Sequence, residues 1–121
     1  MPSILTVDDS ASIRQAIKIA LSNEGFKVTE AHDGADGLSK AGAGVFDMII
    51  TDLNMPVMDG LTMIRKLRAK PAYAGVPIIF LTTESDPGVK AEAKAAGATG
   101  WLTKPFAPDL LVTLVKKVLA R

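Results

Sequence analysis

Residues 48–56 read Met48-Ile49-Ile50-Thr51-Asp52-Leu53-Asn54-Met55-Pro56, a short apolar run that ends in one carboxylate and a turn. A run of this length between turn signals is typical of a buried strand in a parallel sheet. Asp52 would then lie at the carboxyl end of its strand, which is where open α/β sheets place their sites. The stretch therefore predicts both a fold class and a functional carboxylate.

The composition is that of an ordinary globular domain. The chain has 121 residues, of which 48% are hydrophobic and 22% charged, and its formal net charge is +1. This length suffices for one domain with its own core, and the small net charge argues against nucleic acid or a membrane surface as the main partner. The absence of cysteine excludes disulfides, thiolate metal sites and cysteine nucleophiles. No secretory signal or membrane-spanning apolar run is found, so we expect a cytoplasmic protein without membrane insertion.

Apolar runs and helical patterns alternate along the chain. The predicted strands cover residues 4–7, 27–31, 46–51, 77–81 and 100–103. The first predicted helix follows Ser10, with helical spacing through Leu21, and the others cover 35–41, 61–68, 88–96 and 110–119. This alternation predicts a doubly wound, five-stranded parallel sheet with helices on both faces, a flavodoxin-like (βα)5 fold.

Helix ends and helix packing can also be predicted. Ser10, Asp59 and Asp86 each precede a helical pattern and are expected to act as N-caps. The helix over residues 88–96 has almost no large apolar side chains. We therefore expect it to be weakly held to the sheet and comparatively mobile.

Polar residues follow four of the five predicted strands. In chain order they are Asp8, Asp9, Asp52, Thr82 and Lys104, whereas the second strand offers only Ala31 and His32. If the strand order is 2-1-3-4-5, the first and third strands are neighbours and the second is an edge. The polar groups would then cluster over the middle of the sheet, which is the main reason from the residues themselves to expect a site there.

The expected cluster has a definite chemistry. Each pair of carboxylates ~5 Å apart repels by roughly 3 kcal/mol at an effective dielectric constant near 20, and Mg²⁺ with its preference for oxygen ligands offsets that repulsion. Lys104 and Thr82 offer a charge and a hydroxyl to phosphoryl oxygens. Asp52 held this way is a competent nucleophile for phosphoryl transfer. A solvated acidic rim with Lys104 in a surface salt bridge explains any one of these residues, but explains their combination poorly.

The chain resembles the receiver domain of bacterial two-component response regulators, most closely the free-standing chemotaxis type (CheY-like). The resemblance covers nearly the whole chain through Leu5-Thr6-Val7-Asp8-Asp9-Ser10, Thr51-Asp52-Leu53-Asn54-Met55-Pro56-Val57-Met58-Asp59-Gly60, Leu81-Thr82-Thr83-Glu84 and Lys104-Pro105-Phe106. The strand order 2-1-3-4-5 is partly taken from this resemblance, since CheY-type proteins have it. The resemblance implies a single receiver domain over residues 1–121 without an output domain.

The resemblance also implies how the acceptor works. Asp52 would receive a phosphoryl group from the phosphohistidine of a sensor histidine kinase. Asp8 and Asp9 would bind Mg²⁺, and Asp52 and the backbone carbonyl of Asn54 would complete the protein ligands.

Further roles follow from position in the same family pattern. Lys104 would contact a phosphoryl oxygen, with a cis peptide bond to the proline that follows it. Thr82 would be the switch hydroxyl that moves to the phosphoryl group. Asn54 and Glu84 occupy the positions that tune hydrolysis of the phosphoryl group in similar proteins, and Thr83 is expected to line the same site.

Two side chains depart from the pattern or invite a competing interpretation. Trp101 stands where the family more often has tyrosine or phenylalanine, which turns inward on activation; the bulkier indole is either such a switch or a fixed surface aromatic. His32 stands alone and is expected to be a solvated loop histidine rather than a ligand or phosphoacceptor. Met55 and Met58 are expected to anchor their loop rather than bind metal.

These observations predict a phosphorylation-activated switch that is not an enzyme beyond assisting its own phosphorylation and dephosphorylation. Its partner surface is expected on residues 88–96, 101–103 and 109–117, the face of the fourth helix, fifth strand and fifth helix. Four lysines there, Lys90, Lys94, Lys116 and Lys117, either favour an acidic target protein or are simply solvated. A monomer is the default expectation, and no nucleic-acid partner is expected.

Three other functions stay open. A phosphorelay intermediate or phosphate sink would use the same residues but pass the phosphoryl group to a second histidine protein. A flavodoxin-like enzyme would need a phosphate-binding loop after the first strand, where Asp8 and Asp9 instead repel phosphate. A scaffold that never takes a phosphoryl group is disfavoured because every expected site residue is present.

Overall fold

A computed structural model describes residues 2–83 and 87–120 of the chain. Within them the strands are β1 (Ser3–Val7), β2 (Lys27–Ala31), β3 (Met48–Asp52), β4 (Ile78–Thr82) and β5 (Gly100–Thr103). The helices are α1 (Ala11–Ser22), α2 (Gly34–Ala43), α3 (Gly60–Arg68), α4 (Pro87–Ala96) and α5 (Pro108–Leu119), with a short 3₁₀ helix at Pro71–Tyr73. No helix of this described part is both long and apolar enough to cross a membrane.

The strands form one parallel sheet in the order β2-β1-β3-β4-β5. Val7 at the end of β1 lies opposite both Ala31 and Thr51, and Thr82 at the end of β4 lies opposite Thr103. The carboxyl ends of the strands therefore meet along one edge of the sheet. The predicted fold class and strand order are confirmed.

The predicted bounds of β2 and β5 are correct, and those of the other strands differ by one or two residues. Asp52 and Thr82 belong to the ladder, opposite Leu81 and Thr103, rather than following it. The ladder continues past the last apolar residue because main-chain pairing does not depend on side-chain polarity. The 3₁₀ helix at Pro71–Tyr73 was not predicted, because three residues are too few for helical spacing to show.

Side-chain caps fix where α1, α2 and α3 begin. Ser10 Oγ accepts the N–H of Ile13 at 3.3 Å, and Asp59 Oδ1 accepts the N–H of Thr62 at 2.7 Å, as predicted. The predicted cap Asp86 lies outside the described residues. Helix α2 begins one residue earlier than predicted because Asp33 Oδ1 accepts the N–H of Asp36 at 2.7 Å and caps it.

Two apolar clusters cover the two faces of the sheet. Helices α1 and α5 bury Ile17, Leu21, Leu111 and Val115 on one face, while α2, α3 and α4 cover the other. Every residue of β3 and of β4 is buried. Since each fully buried aliphatic side chain contributes about 1.5–3 kcal/mol, this core holds the strand ends in fixed positions.

Helix α4 contacts the core through small side chains. Among the α4 residues whose burial is described, Ala93 and Ala96 are buried, and Val89 is half-buried against the same cluster. The described side chains of α4 thus bury little large apolar surface, and its weak attachment to the sheet stays a prediction. Its greater mobility stays a prediction.

Arg68 ties the last turn of α3 to two neighbouring segments. Its guanidinium donates to the carbonyl oxygens of Tyr73 at 2.6 Å, Val76 at 2.5 Å and Gly97 at 2.9 Å. Gly97 has a φ of +115°, and a Cβ there would lie 2.6 Å from Arg68 Cγ. Glycine is therefore required where α4 ends, because both the backbone angle and the close approach exclude a side chain.

Candidate functional site

The polar residues predicted from the strand ends meet at the carboxyl edge of the sheet. Lys104 Nζ lies 3.1 Å from Asp8 Oδ2 and 3.3 Å from Asp52 Oδ2. Asp8 is fully buried and Asp52 is 7% exposed, while the lysine side chain is 13% exposed. One ammonium group therefore neutralises part of the charge of two buried carboxylates.

Asp8 is held on both carboxylate oxygens. Its Oδ1 accepts the N–H of Ser10 at 2.9 Å, and its Oδ2 accepts from Lys104. Burial raises the pKa of the Asp8 carboxyl above its usual range, and the charge of Asp52 raises it further, against the opposing effects of the Ser10 N–H and Lys104. A cation bound here would favour the ionised carboxylates that the protein interior disfavours.

Asp8, Asp9 and Asp52 form a group whose ligand oxygens all lie within 4.8 Å of one another. Asp9 is exposed, so the group is open to solvent on one side. Hard carboxylate oxygens and an open side for water suit Mg²⁺, which keeps several waters and takes few protein ligands. The residues present therefore fit the predicted ion.

The loop that follows β3 is folded tightly against the candidate acceptor. Asp52 Oδ1 accepts the N–H of Leu53 at 2.8 Å, and the Leu53 carbonyl accepts the N–H of Gly60 at 2.9 Å. A Cβ on Gly60 would lie 2.2 Å from the Asp52 carbonyl oxygen. Glycine at this position lets the start of α3 pack directly on the backbone of Asp52.

Within this loop Val57 has a φ of 69° and is 83% exposed. A β-branched residue in the left-handed region is a true outlier, so the tight path of the loop imposes backbone strain there. Met55 and Met58 pack against the apolar cluster beneath, which confirms that they anchor the loop.

The other predicted site residues are placed as follows. Thr82 is 2% exposed at the end of β4. Asn54, which follows β3, and Thr83, which follows β4, are both exposed. Glu84 lies outside the described residues. The peptide bond between Lys104 and Pro105 is cis, as the resemblance implied.

Trp101 lies on the outer surface of β5. It is 47% exposed and stacks on Phe80 of the neighbouring strand, with ring centroids 6.3 Å apart and an interplanar angle of 28°. Lys90 Nζ of α4 lies 4.7 Å from the centroid of the indole. The indole therefore bridges β5 and α4, which are two parts of the predicted partner face.

His32 is not part of the carboxylate cluster. Its side chain is 68% exposed, with Nδ1 2.9 Å from Asp36 Oδ2 and Nε2 3.4 Å from Asp33 Oδ2. The prediction of an exposed loop histidine is confirmed, although the residue has carboxylate partners that the sequence did not indicate.

One contact of the site was missed from the sequence. Arg14 on α1 donates from Nη1 to the backbone carbonyl of Asp8 at 2.6 Å, and from Nε to Glu30 at 3.3 Å. A cationic residue on the polar side of a helix is ordinarily solvated, so the pattern alone did not single it out. Similarly, Ser10 was predicted only as a helix cap and not as a donor to Asp8.

Comparison with known proteins gives consistent matches. A family model described as response regulator receiver domain matches residues 4–116. The chemotaxis protein CheY of Pseudomonas aeruginosa is 37% identical over 119 residues, which are 98% of this chain and 96% of that protein. The structure of the chemotaxis response regulator CheY4 of Vibrio cholerae is 47% identical with a TM-score of 0.94, covering 98% of both chains.

A further solved structure is informative about the site. It is the receiver domain of a sensor histidine kinase from Pseudomonas aeruginosa, with a magnesium ion coordinated in the active site cleft. That domain is 30% identical with a TM-score of 0.92, covering 99% of this chain and 98% of that one.

Proposed function

Because the chain belongs to the family of response regulator receiver domains, we propose that it is a switch activated by phosphorylation of Asp52. As a receiver domain of the CheY type it acts in phosphorylation-dependent signalling. The observation that carries the finer proposal is the position of Asp52, which shares Lys104 with Asp8 and lies within a group of three carboxylates. The phosphoryl donor is a sensor histidine kinase.

In the proposed transfer, an Asp52 carboxylate oxygen forms a bond to phosphorus while the bond from phosphorus to the donor imidazole nitrogen breaks. The electron pair of the broken bond leaves with the imidazole. Lys104, already 3.3 Å from Asp52 Oδ2, binds an oxygen of the transferred group. Its position is fixed before the donor arrives, so little reorganisation is needed.

Asp8, Asp9 and Asp52, with the backbone carbonyl of Asn54, are the residues we propose to hold Mg²⁺. The ion would neutralise charge that develops on the phosphoryl oxygens. This proposal is supported by the donor set itself and by the magnesium ion coordinated in the related histidine kinase receiver domain. Apart from assisting its own phosphorylation and dephosphorylation, the protein is proposed to have no enzymatic activity.

Thr82, Asn54, Thr83 and Glu84 are proposed to respond to the acyl phosphate. Thr82 is buried as the last residue of β4, and α4 is the next helix along the chain. We propose that a shift of its hydroxyl toward the phosphoryl group changes the position of α4. Asn54 and Thr83 are exposed, and with Glu84 they are proposed to control the approach of water to the phosphoryl group.

The proposed output surface consists of α4, β5 and α5, which meet at the β5 edge of the sheet. Of its four lysines, Lys90 lies over the Trp101 ring and Lys116 pairs with Glu24. Lys94 and Lys117 are exposed there. We propose that a downstream target protein of a chemotaxis-type pathway binds this surface.

The central test is phosphorylation by a small phosphodonor. With phosphoramidate and Mg²⁺, we expect intact-mass measurement to show the gain of one phosphoryl group per chain, because nucleophile, lysine and metal ligands are preassembled. Chelation of Mg²⁺ by EDTA should prevent the gain. A phosphoryl group mapped to His32 rather than Asp52, or no gain with Mg²⁺ present, would contradict the proposal.

The output surface is tested by the fluorescence of Trp101, the one tryptophan of the chain. Beryllofluoride, which mimics a phosphoryl group, is expected to change the emission only when Mg²⁺ is also present, because a shift of α4 alters the contact between Lys90 and the indole. Magnesium alone and beryllofluoride alone are the controls. Static emission in a sample that mass measurement shows to be phosphorylated would contradict the output surface but leave the acceptor chemistry standing.

A phosphorelay role remains the alternative. It would be favoured if the phosphorylated chain transferred its phosphoryl group to a second histidine protein faster than the acyl phosphate hydrolyses in water. No described contact favours that role over a terminal switch.

A further inference from the structure

Arg14 joins three segments that meet at the candidate metal site. It lies in α1 with its side chain 18% exposed, and its Nη1 donates to the Asp8 carbonyl at 2.6 Å. Its Nε lies 3.3 Å from Glu30 Oε1 on β2. The planar guanidinium can make both contacts at once because its donors form a rigid fork, whereas a lysine ammonium is a single point.

The contact with Asp8 completes the fixation of that residue. The Asp8 N–H donates to the Ala31 carbonyl at 3.0 Å, and its two carboxylate oxygens accept from Ser10 and Lys104. Arg14 holds the remaining polar atom, the carbonyl oxygen. That carbonyl belongs to the peptide unit between Asp8 and Asp9, so its direction sets the orientation of the Asp9 backbone.

Of the three carboxylates, that of Asp9 depends most on the orientation of this peptide for its direction. Its side chain is exposed, whereas Asp8 and Asp52 are buried and bound by Lys104. Yet an Asp9 oxygen lies within 4.8 Å of ligand oxygens of both other residues. A rotation of the Asp8–Asp9 peptide would carry that oxygen out of the group.

We propose that Arg14 is a positioning residue of the metal site, which fixes the Asp8–Asp9 peptide and so aims the Asp9 carboxylate at Asp8 and Asp52. This inference rests on the proposed function of these carboxylates as Mg²⁺ ligands. Glu30 contributes in two ways. It orients the Arg14 guanidinium, and its negative charge balances the positive charge of Arg14, which would otherwise oppose Mg²⁺ binding.

Electrostatics and positioning make opposite predictions for the same substitution. Arg14→Gln removes a positive charge near the cation site, so the charge change alone would tighten Mg²⁺ binding. If Arg14 positions Asp9, the same variant binds Mg²⁺ more weakly. We expect a loss of about tenfold in affinity, the lower end of what changes to residues behind metal ligands produce.

Lys18 provides the matched control. It lies one turn further along α1, its Nζ is 3.7 Å from the other carboxylate oxygen of Glu30, and its side chain is 53% exposed. Lys18→Gln makes the same charge change beside the same glutamate without touching the Asp8 carbonyl. Its Mg²⁺ affinity is expected to stay within about twofold of wild type, because exposed charges are strongly screened.

The experiment is calorimetric titration of Mg²⁺ into wild type, Arg14→Gln, Arg14→Lys and Lys18→Gln, with urea unfolding of each chain to establish that it is folded. Weaker binding in Arg14→Gln, partial recovery in Arg14→Lys and no change in Lys18→Gln would support the inference. Should Arg14→Gln not fold, Arg14→Lys alone decides: it keeps the charge but loses the fork, so weaker binding supports the inference and unchanged binding overturns it.

Failure of this inference is distinguishable from failure of the proposed function. Binding in Arg14→Gln that equals or exceeds that of wild type overturns the positioning role and leaves the metal site intact. If wild type and Lys18→Gln themselves show no binding, the magnesium site is wrong and the role of Arg14 falls with it.

Discussion

Replacing Asp52 by asparagine is expected to abolish the gain of a phosphoryl group completely while leaving the protein folded. The amide oxygen of asparagine can still accept the N–H of Leu53, and Lys104 keeps its contact with Asp8. What disappears is the ionised oxygen that attacks phosphorus. We therefore expect no phosphorylated species by intact mass, and a free energy of unfolding within about 1 kcal/mol of wild type in urea titrations.

Asp9→Asn is the control for this prediction, because it also removes one carboxylate from the group but keeps the nucleophile. It should slow phosphorylation at low Mg²⁺ and recover as the Mg²⁺ concentration is raised. Asp52→Asn should show no such recovery at any concentration. Phosphorylation of folded Asp52→Asn at the wild-type rate would place the acceptor elsewhere and remove the basis of the proposed switch.

The second large effect is expected at Gly60, where no side chain fits. In Gly60→Ala the new Cβ would lie 2.2 Å from the Asp52 carbonyl oxygen and 2.9 Å from Leu53 Cα. Both are backbone atoms that cannot rotate away, so the start of α3 must move. We expect the free energy of unfolding to fall by about 2–3 kcal/mol in urea titrations, together with slower phosphorylation, because the acceptor strand end moves too.

Gly42→Ala is the matched control for Gly60→Ala. Gly42 also lies in a helix, but a Cβ there would meet nothing within 4 Å. Alanine is the better helix former, so the free energy of unfolding should rise by up to about 1 kcal/mol with phosphorylation unchanged. Equal stability of the two variants would mean that the contact between Gly60 and Asp52 is not as tight as the structure has it.

Much of the fold could be predicted from the sequence because two strong patterns agree. Apolar runs bounded by turns mark the strands, and apolar residues at helical spacing mark the helices, so element type and order were predictable. The ends of β3 and β4 were less predictable, because Asp52 and Thr82 are polar and yet pair within the ladder. The 3₁₀ helix near Tyr73 is too short to give a helical pattern, and its contact with Arg68 is made to a backbone carbonyl, which the sequence does not mark.

The candidate site also has a part that the sequence predicts and a part that it does not. The meeting of Asp8, Asp52 and Lys104 follows from strand order, because parallel strands end at one edge of the sheet. The part played by Arg14 does not follow, since its partner is a backbone carbonyl and backbone groups leave no mark in the residue pattern. The strain at Val57 is invisible for the same reason: it lies in a φ angle that valine ordinarily avoids.

The alanine packing of α4 has a consequence for how such a protein diverges in evolution. Ala93 and Ala96 meet the core, while Ala91, Glu92, Lys94 and Ala95 face solvent. The residues that a partner would contact on this helix are thus separate from those that attach it to the sheet. A lineage can exchange the outward residues for a new target at little cost to folding, because surface substitutions of this kind usually change stability by less than about 0.5 kcal/mol. Partner choice on α4 and the stability of the fold are therefore open to independent selection.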